Sequence, residues 1–179
     1  MLPESELKTW HRHVNGVKYI CSTDPKLVQL DALNAALESD LLWWAKALPE
    51  AQLKKIVEYS LCLGLYREKS DPPGNAQEDP NIEMVGFARV VTDYVTIGYL
   101  TDVYVLEEHQ RMGLGRWLID CLDEGISKWP EMRGFLLLTS DPHAVKLYEK
   151  ALGARDLRKT SPDLILMEKP GVRGSKKHA

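Results

Sequence analysis

The chain has 179 residues, enough for one domain with a sizeable core and short for a two-domain enzyme. Hydrophobic residues make up 44% and charged residues 27%, which excludes disorder as a description of the whole chain. Its 23 Lys and Arg against 26 Asp and Glu give a formal net charge of −3, so there is no bulk positive charge to attract nucleic acid or a membrane surface, and neither is an expected partner.

In chain order, Val17 to Cys21 reads as a short extended stretch, and Thr23-Asp24-Pro25 as a cap with proline in the first helical turn. Leu27, Leu30, Leu33, Asn34 and Leu37 then recur at helical spacing. A connection from Asp40 to Leu48 carries Trp43 and Trp44, and Pro49 restarts a helix whose apolar face is Leu53, Ile56 and Val57. Leu61 to Tyr66, Met84 to Val91 and Val95 to Leu106 are rich in β-branched and aromatic residues and predict an antiparallel meander, with a turn at Thr92-Asp93. Residues 70–81 collect three prolines with no large apolar residue and predict a surface loop.

The character then changes. Gly115 to Ser127 sets Trp117, Leu118, Cys121, Leu122 and Ile126 on one helical face, Phe135 to Leu138 is a buried strand, Ala144 to Leu152 a short helix and Leu164 to Met167 a last strand. A strand, a crossover helix and a further strand make a parallel, right-handed βαβ unit. The expected fold is therefore α/β, a mixed and mostly antiparallel sheet with a central parallel βαβ unit, flanked by helices. One domain is expected over 1–169, with a disordered basic tail at 170–179.

Cys21, Cys62 and Cys121 are odd in number, far apart and without a C-x-x-C pair, which suggests a reduced protein with neither a disulfide framework nor a metal site. With no apolar run of the roughly 18 residues that span a bilayer and no signal-peptide pattern, the expected location is the cytoplasm, the nucleus being open to a chain of this size.

Chemistry concentrates in Asp102 to Arg116, DVYVLEEHQRMGLGR, where a strand runs into a turn with two glycines and a helix opens at once. Gly113 and Gly115 allow backbone approaches that a Cβ would block, so consecutive N–H groups are able to converge on one anion. The helix N-terminus adds unsatisfied donors and a positive dipole end, and Arg111 and Arg116 add charge. This fits a phosphate or pyrophosphate site; the alternative is a strand-to-helix turn with no ligand. Neither a G-x-x-x-x-G-K-[ST] loop nor a full G-x-G-x-x-G is present, so a P-loop nucleotidase or a Rossmann dehydrogenase is not supported.

Gln110-Arg111-Met112-Gly113-Leu114-Gly115 resembles the Q/R-x-x-G-x-G/A signature of the GCN5-related N-acetyltransferase (GNAT) family, and Asp141-Pro142-His143-Ala144-Val145-Lys146-Leu147-Tyr148-Glu149-Lys150 resembles that family's N-x-x-A-x-x-L-Y-E-K helix. The resemblance implies an N-acetyltransferase with acetyl-CoA as co-substrate and no metal. It implies that the backbone of Gln110, Arg111, Met112, Gly113, Leu114, Gly115 and Arg116 holds the CoA pyrophosphate, and that Val103, Tyr104 and Val105 pair their main chain with the pantetheine arm. Tyr148 matches the tyrosine that protonates the departing thiolate, the alternative being a core tyrosine on an amphipathic helix. Asp141 stands where many members have asparagine, which leaves its cofactor contact open, and Gly153-Ala154 replaces the usual Gly-Phe.

The attacking amine has a lysine-like pKa of about 10.4 and must lose a proton before it attacks. Asp102 lies in a D-V-Y-V run similar to the D-F-F-V run of polyamine acetyltransferases, which points to an amine binder or, through water, a proton acceptor; a structural carboxylate is the alternative. Trp43 and Trp44 sit in a connection that borders the acceptor site in the family, so one of them is a candidate aromatic wall for an amine, against ordinary core packing. His11 and His13 read as a solvated strand or loop, His109 as exposed, and His143 as a secondary candidate for a proton relay. No cysteine has an activating histidine at motif spacing, which disfavours an acyl-cysteine intermediate. The expected acceptor is a small amine, and the expected assembly a monomer or homodimer. A protein lysine or N-terminal acetyltransferase and a non-catalytic acyl-CoA-binding module are the alternatives.

Overall fold

A computed structural model describes residues 6–69 and 81–169. One six-stranded sheet organises it, in the order β1 (Thr9–Val14), β2 (Val17–Ser22), β3 (Leu61–Glu68), β4 (Ile82–Thr92), β5 (Ile97–Val105), β6 (Gly134–Leu137). The first five strands are antiparallel neighbours, and β5 pairs with β6 in parallel. The helices are α1 (Leu30–Glu38), α2 (Glu50–Glu58), α3 (Leu114–Ile126), α4 (Pro142–Leu152) and the short α5 (Leu157–Thr160).

The sheet separates two apolar clusters. On one face Leu33 and Leu37 of α1 and Leu53 and Val57 of α2 pack with Tyr66, Phe87 and Tyr104. On the other, Leu118, Ile119 and Leu122 of α3 and Tyr148 of α4 pack with Leu63, Val85, Val90 and Leu100. Alternation along a regular strand would put Leu100 and Tyr104 of β5 on one face, but the extra residue at the irregularity between Thr101 and Tyr104 shifts Tyr104 to the other, so the two belong to different clusters.

The meander, the tryptophan-bearing connection and the β5–α3–β6 unit lie where the sequence predicts them. The strand expected to be buried at Phe135 to Leu138 is instead β6 at the edge of the sheet, with Leu136 44% and Leu138 64% exposed. Three further differences have local causes. A first strand, Thr9–Val14, is joined to β2 by Asn15-Gly16, whose φ values of 51° and 77° close a tight hairpin. Leu164 to Met167 form no strand; after α5, capped by the Asp156 side chain, they run without regular structure and are exposed. His109 is buried, not exposed, because its Nδ1 pairs with the Tyr19 hydroxyl at 3.1 Å. Most of the predicted 70–81 loop and the whole 170–179 tail lie outside the described residues; at the loop's margins, Lys69 donates its N–H to the Asn81 carbonyl at 3.0 Å.

Candidate active site

The site begins where β5 and β6 part. Their register runs from Ile97 opposite Gly134 to Leu100 opposite Leu137 and stops there, so β5 continues through Val105 with no strand on that side among the described residues. A bulge coincides with the parting: β4 spans Phe87 to Arg89 while β5 spans Tyr104 back to Thr101, and Asp102 takes a φ of 52°. Tyr104 faces Phe87, and its carbonyl oxygen lies where a Cβ on Gly86 would meet it at 2.8 Å, so its main chain belongs to β4. Strand alternation turns the polar groups of Val103 and Val105 toward the open side. The Val105 carbonyl there already accepts from Gln110 Nε2 at 2.8 Å. Of the three residues expected to pair with a pantetheine arm, Val103 thus keeps the freest main chain; Gln110 fixes the exit of β5.

The glycine turn follows. Arg111 and Gly113 both have left-handed φ, 61° and 74°, and Gly113 is the N-cap of α3. Such alternation turns successive N–H groups inward, and helix geometry leaves those of Leu114, Gly115 and Arg116 without intrahelical acceptors. A Cβ built on Gly115 would meet only Val105 Cγ2, at 3.9 Å, and one on Gly113 only Arg12 Nη2, at 3.8 Å. Packing within the chain does not demand glycine at 115, so the space a side chain would fill is left for something else to enter. The residues present therefore fit a pyrophosphate. Leu114 is buried and anchors the turn; Met112, half-buried, touches the hairpin through Asn15 Nδ2 at 4.0 Å. Arg116 is held by Asp120 at 2.6 Å, whereas Arg111 is exposed.

Arg12 is a residue that the sequence did not single out. It projects from β1 beside Gly113, with its guanidinium carbon 6.0 Å from the centre of the Trp117 ring. The Asn15-Gly16 turn was the readable signal for a hairpin; its proximity to residues 112–117 is set by tertiary packing.

At the bulge, Asp102 is 5% exposed and fully engaged. Its Oδ2 accepts from Arg89 Nε at 2.7 Å and Nη2 at 2.6 Å, and its Oδ1 from the Trp44 indole N–H and the Thr101 hydroxyl, each at 3.2 Å. Arg89 also reaches Ser60 Oγ at 3.3 Å. Trp44 is 38% exposed and meets Trp43 edge to face at 5.5 Å. The structure thus joins two residues predicted 58 positions apart, Trp44 and Asp102, and adds Arg89, which balances the carboxylate's charge.

Tyr148 is on the inner side of α4, which starts with Asp141 as N-cap, accepting from the His143 N–H at 2.8 Å, and Pro142 in the first turn. Asp141 therefore has a structural task, and His143 is exposed. Tyr148 is 9% exposed; burial, with the negative charge of Asp141 second, pushes its phenol up to about 12, so it keeps its proton at neutral pH. Among the described residues, no group of three or more His, Cys, Asp or Glu is placed to hold a metal ion.

A parallel strand pair that parts, a glycine turn at a helix N-terminus and a buried phenol on the helix after the second strand thus lie in sequence along the chain. The model of the acetyltransferase (GNAT) family matches residues 38–154, and the chain belongs to that family. It is 43% identical over 163 residues to a protein of Gibberella zeae named as an acetyltransferase, an alignment covering 86% of this chain and 91% of the other. It is 31% identical to a GNAT-family acetyltransferase of Xanthomonas campestris pv. campestris solved by crystallography, with a TM-score of 0.63, covering 91% of this chain and 98% of that one. An aminoglycoside acetyltransferase from an uncultured soil metagenomic sample shares the fold at 19% identity and a TM-score of 0.53, covering 92% of this chain and 98% of that one.

Proposed function

We propose that the protein is an acetyl-CoA-dependent N-acetyltransferase that moves an acetyl group to a primary amine of a small molecule, by direct attack in a ternary complex. The observation that carries this reading is the continuity of two features: the edge of β5 left unpaired beyond Leu100, and the turn at 111–116 in which glycine leaves room beside the α3 N-terminus. An extended, amide-bearing arm ending in a pyrophosphate suits both at once.

Acetyl-CoA, when bound, supplies a thioester carbonyl for the amine to attack. Main-chain groups of Val103 orient the arm, and the N–H groups of Arg111 to Arg116 hold the anionic end. Asp102 and Trp44 mark the amine end. Because Arg89 already balances its charge, Asp102 positions the amine, and water carries the ammonium proton away. As the new C–N bond forms and the C–S bond breaks, Tyr148 donates a hydrogen bond to the departing sulfur. With a phenol at about 12 and a thiol reference near 8.5, full transfer from tyrosine is uphill, so Tyr148 stabilises thiolate charge more than it empties its own proton. An acidic balance and a half-exposed indole at the amine end suit a small cationic acceptor. Three buried cysteines outside any disulfide suit the cytoplasm or nucleus.

Purified protein is to be assayed with acetyl-CoA and a panel of amines and peptides, following free-thiol release and CoA binding together. Turnover on small amines supports the proposal. Turnover on peptides alone would make the protein a lysine or N-terminal acetyltransferase, and tight CoA binding with no turnover a non-catalytic module.

A further inference from the structure

One stretch of the sheet is bare beside the amine end of the site. Val91 of β4, Tyr99 of β5 and Leu136 of β6 are direct cross-strand partners, so they form one rank on one face, and they are 46%, 37% and 44% exposed. The alternation Phe87, Arg89, Val91 puts the rank on the face that carries α1, α2 and the Arg89–Asp102 pair, at the next position beyond that pair. A contiguous apolar surface adjoining a polar anchor is the ordinary form of a binding subsite.

Access selects what the rank receives. On the opposite face, Val90, Leu100, Phe135 and Leu137 are covered within the cluster of α3 and α4, and on this face Phe87 and Tyr104 are covered by α1 and α2. An amine brought to the point where β5 and β6 part, with Asp102 and Trp44 at its nitrogen, therefore extends its remaining atoms over Val91, Tyr99 and Leu136 among the described residues. The Tyr99 hydroxyl already lies in the field of that anchor: burial first, then the Asp102 carboxylate, push its phenol up, and Arg89 opposes them. We infer that this rank seats the apolar body of the acceptor, which makes the substrate class a primary amine with a compact aryl or alkyl body; the inference rests on the N-acetyltransferase reading above.

Chemistry and length both favour that class. The rank holds no charged side chain, so the hydroxyls of an aminosugar or the second ammonium of a linear diamine, laid on Val91 and Leu136, would lose water without gaining a partner. The Tyr99 ring and the two aliphatic side chains instead reward an apolar group, which loses nothing by leaving water. Along β5, two residues separate Tyr99 from Thr101, beside Asp102, a rise of about 7 Å, which is about the reach of a phenyl ring two carbons from its nitrogen.

The test compares kcat/KM for ethylamine, phenethylamine and putrescine with acetyl-CoA, by free-thiol release from the full chain. Burying a phenyl ring is worth about 10- to 100-fold, so phenethylamine is expected to lead ethylamine by at least about tenfold. Tyr99→Ser and Leu136→Ser, made separately, are each expected to cut that lead at least about threefold, through KM. The lead is a ratio taken on one preparation, so partial unfolding of a variant does not alter it. Similar kcat/KM for ethylamine and phenethylamine, or a lead that neither variant reduces, overturns the inference and leaves the N-acetyltransferase reading standing. A lead for putrescine overturns it as well, and would point to Glu168, whose charge also bears on Tyr99. Turnover of no amine removes the reading beneath it, and saturation-transfer NMR of phenethylamine with the protein and CoA then decides for the seat itself: ring signals that Tyr99→Ser weakens support it, and absent or unchanged signals overturn it.

Discussion

Tyr148 and Asp102 are the two side chains at which the chemistry is most sharply tested. Tyr148→Phe keeps the ring in its cluster and removes the donor, so kcat should fall by roughly 10² to 10⁴ with little change in acetyl-CoA affinity; a near-normal kcat in steady-state assays makes the tyrosine structural. Since burial keeps the phenol protonated to about 12, the rise in activity with pH should follow the amine's loss of its proton, without a decline from Tyr148 below about pH 10. Asp102 is harder to remove cleanly, because Asp102→Asn leaves the Arg89 guanidinium, 17% exposed, without its counter-charge. That change should cost about 3 kcal/mol in urea unfolding, and adding Arg89→Gln should restore part of it. Among molecules that remain folded, acceptor KM should rise and activity should shift toward higher pH. Wild-type kinetics per folded molecule would confine Asp102 to structure. The carboxylate was legible in the D-V-Y-V run, but its partner was not: Arg89 is 13 residues away, and only the β4–β5 register with its bulge brings them together.

At the level of elements, the hairpin of β1 and β2 braces the turn that opens α3, through Arg12 beside Gly113, Asn15 against Met112 and Tyr19 against His109. Gly115→Val introduces a side chain into space that the chain itself leaves open, so melting temperature should hardly move while CoA affinity falls at least about tenfold by calorimetry. Arg12→Ala should weaken CoA about three- to tenfold and flatten the dependence on salt, since it removes one exposed charge near an anion. Unchanged CoA affinity in both variants would remove the phosphate role from this end of the site. The elements that periodicity predicted well are those with one buried face, such as α3, whose apolar stripe is fixed by its own sequence. Leu164 to Met167 shows the converse. Strand propensity is realised only against a neighbouring strand, and Leu164 to Met167 pair with none of the described strands.

For the molecule as a whole, burial of acidic protons sets the alkaline limit. Desolvation pushes the Cys62 thiol up to about 12, Tyr148 to about 12, and Tyr66 and Tyr104 well above the ordinary phenol value. The unfolded chain releases these protons first, from the thiol value near 8.5 and the phenol value near 10. Fewer protons on the unfolded state mean that stability is fully present below those values and is lost as pH rises from about 8.5 through about 12. Melting temperature measured across that window should fall steadily; a flat profile would mean that these groups titrate normally in the fold. The overall architecture was legible because the order of strand and helix signals restricts the connections available. The site's composition was less so, since Arg12 and Arg89 reach it from two separate strands, β1 and β4.

The mutual pairing of Lys69 and Asn81 gives the sheet an independence that can be put to use. Lys69 donates to the Asn81 carbonyl, Asn81 Nδ2 returns a bond to the Lys69 carbonyl at 2.9 Å, and Glu68 opposite Ile82 continues the ladder inward. The register of β3 on β4 is thus clasped at its mouth, and what the chain does between those two residues is free to vary in length. An Asn-Gly link in place of residues 70–80 should keep the fold and, by shortening the loop to be closed, add up to about 1.5 kcal/mol. The same position should accept an inserted tag or fluorophore-bearing peptide with the β3–β4 ladder intact, and since Val85 and Gly86 of β4 lie beside Leu106 and Val105 it falls at the end of the sheet from which the glycine turn departs.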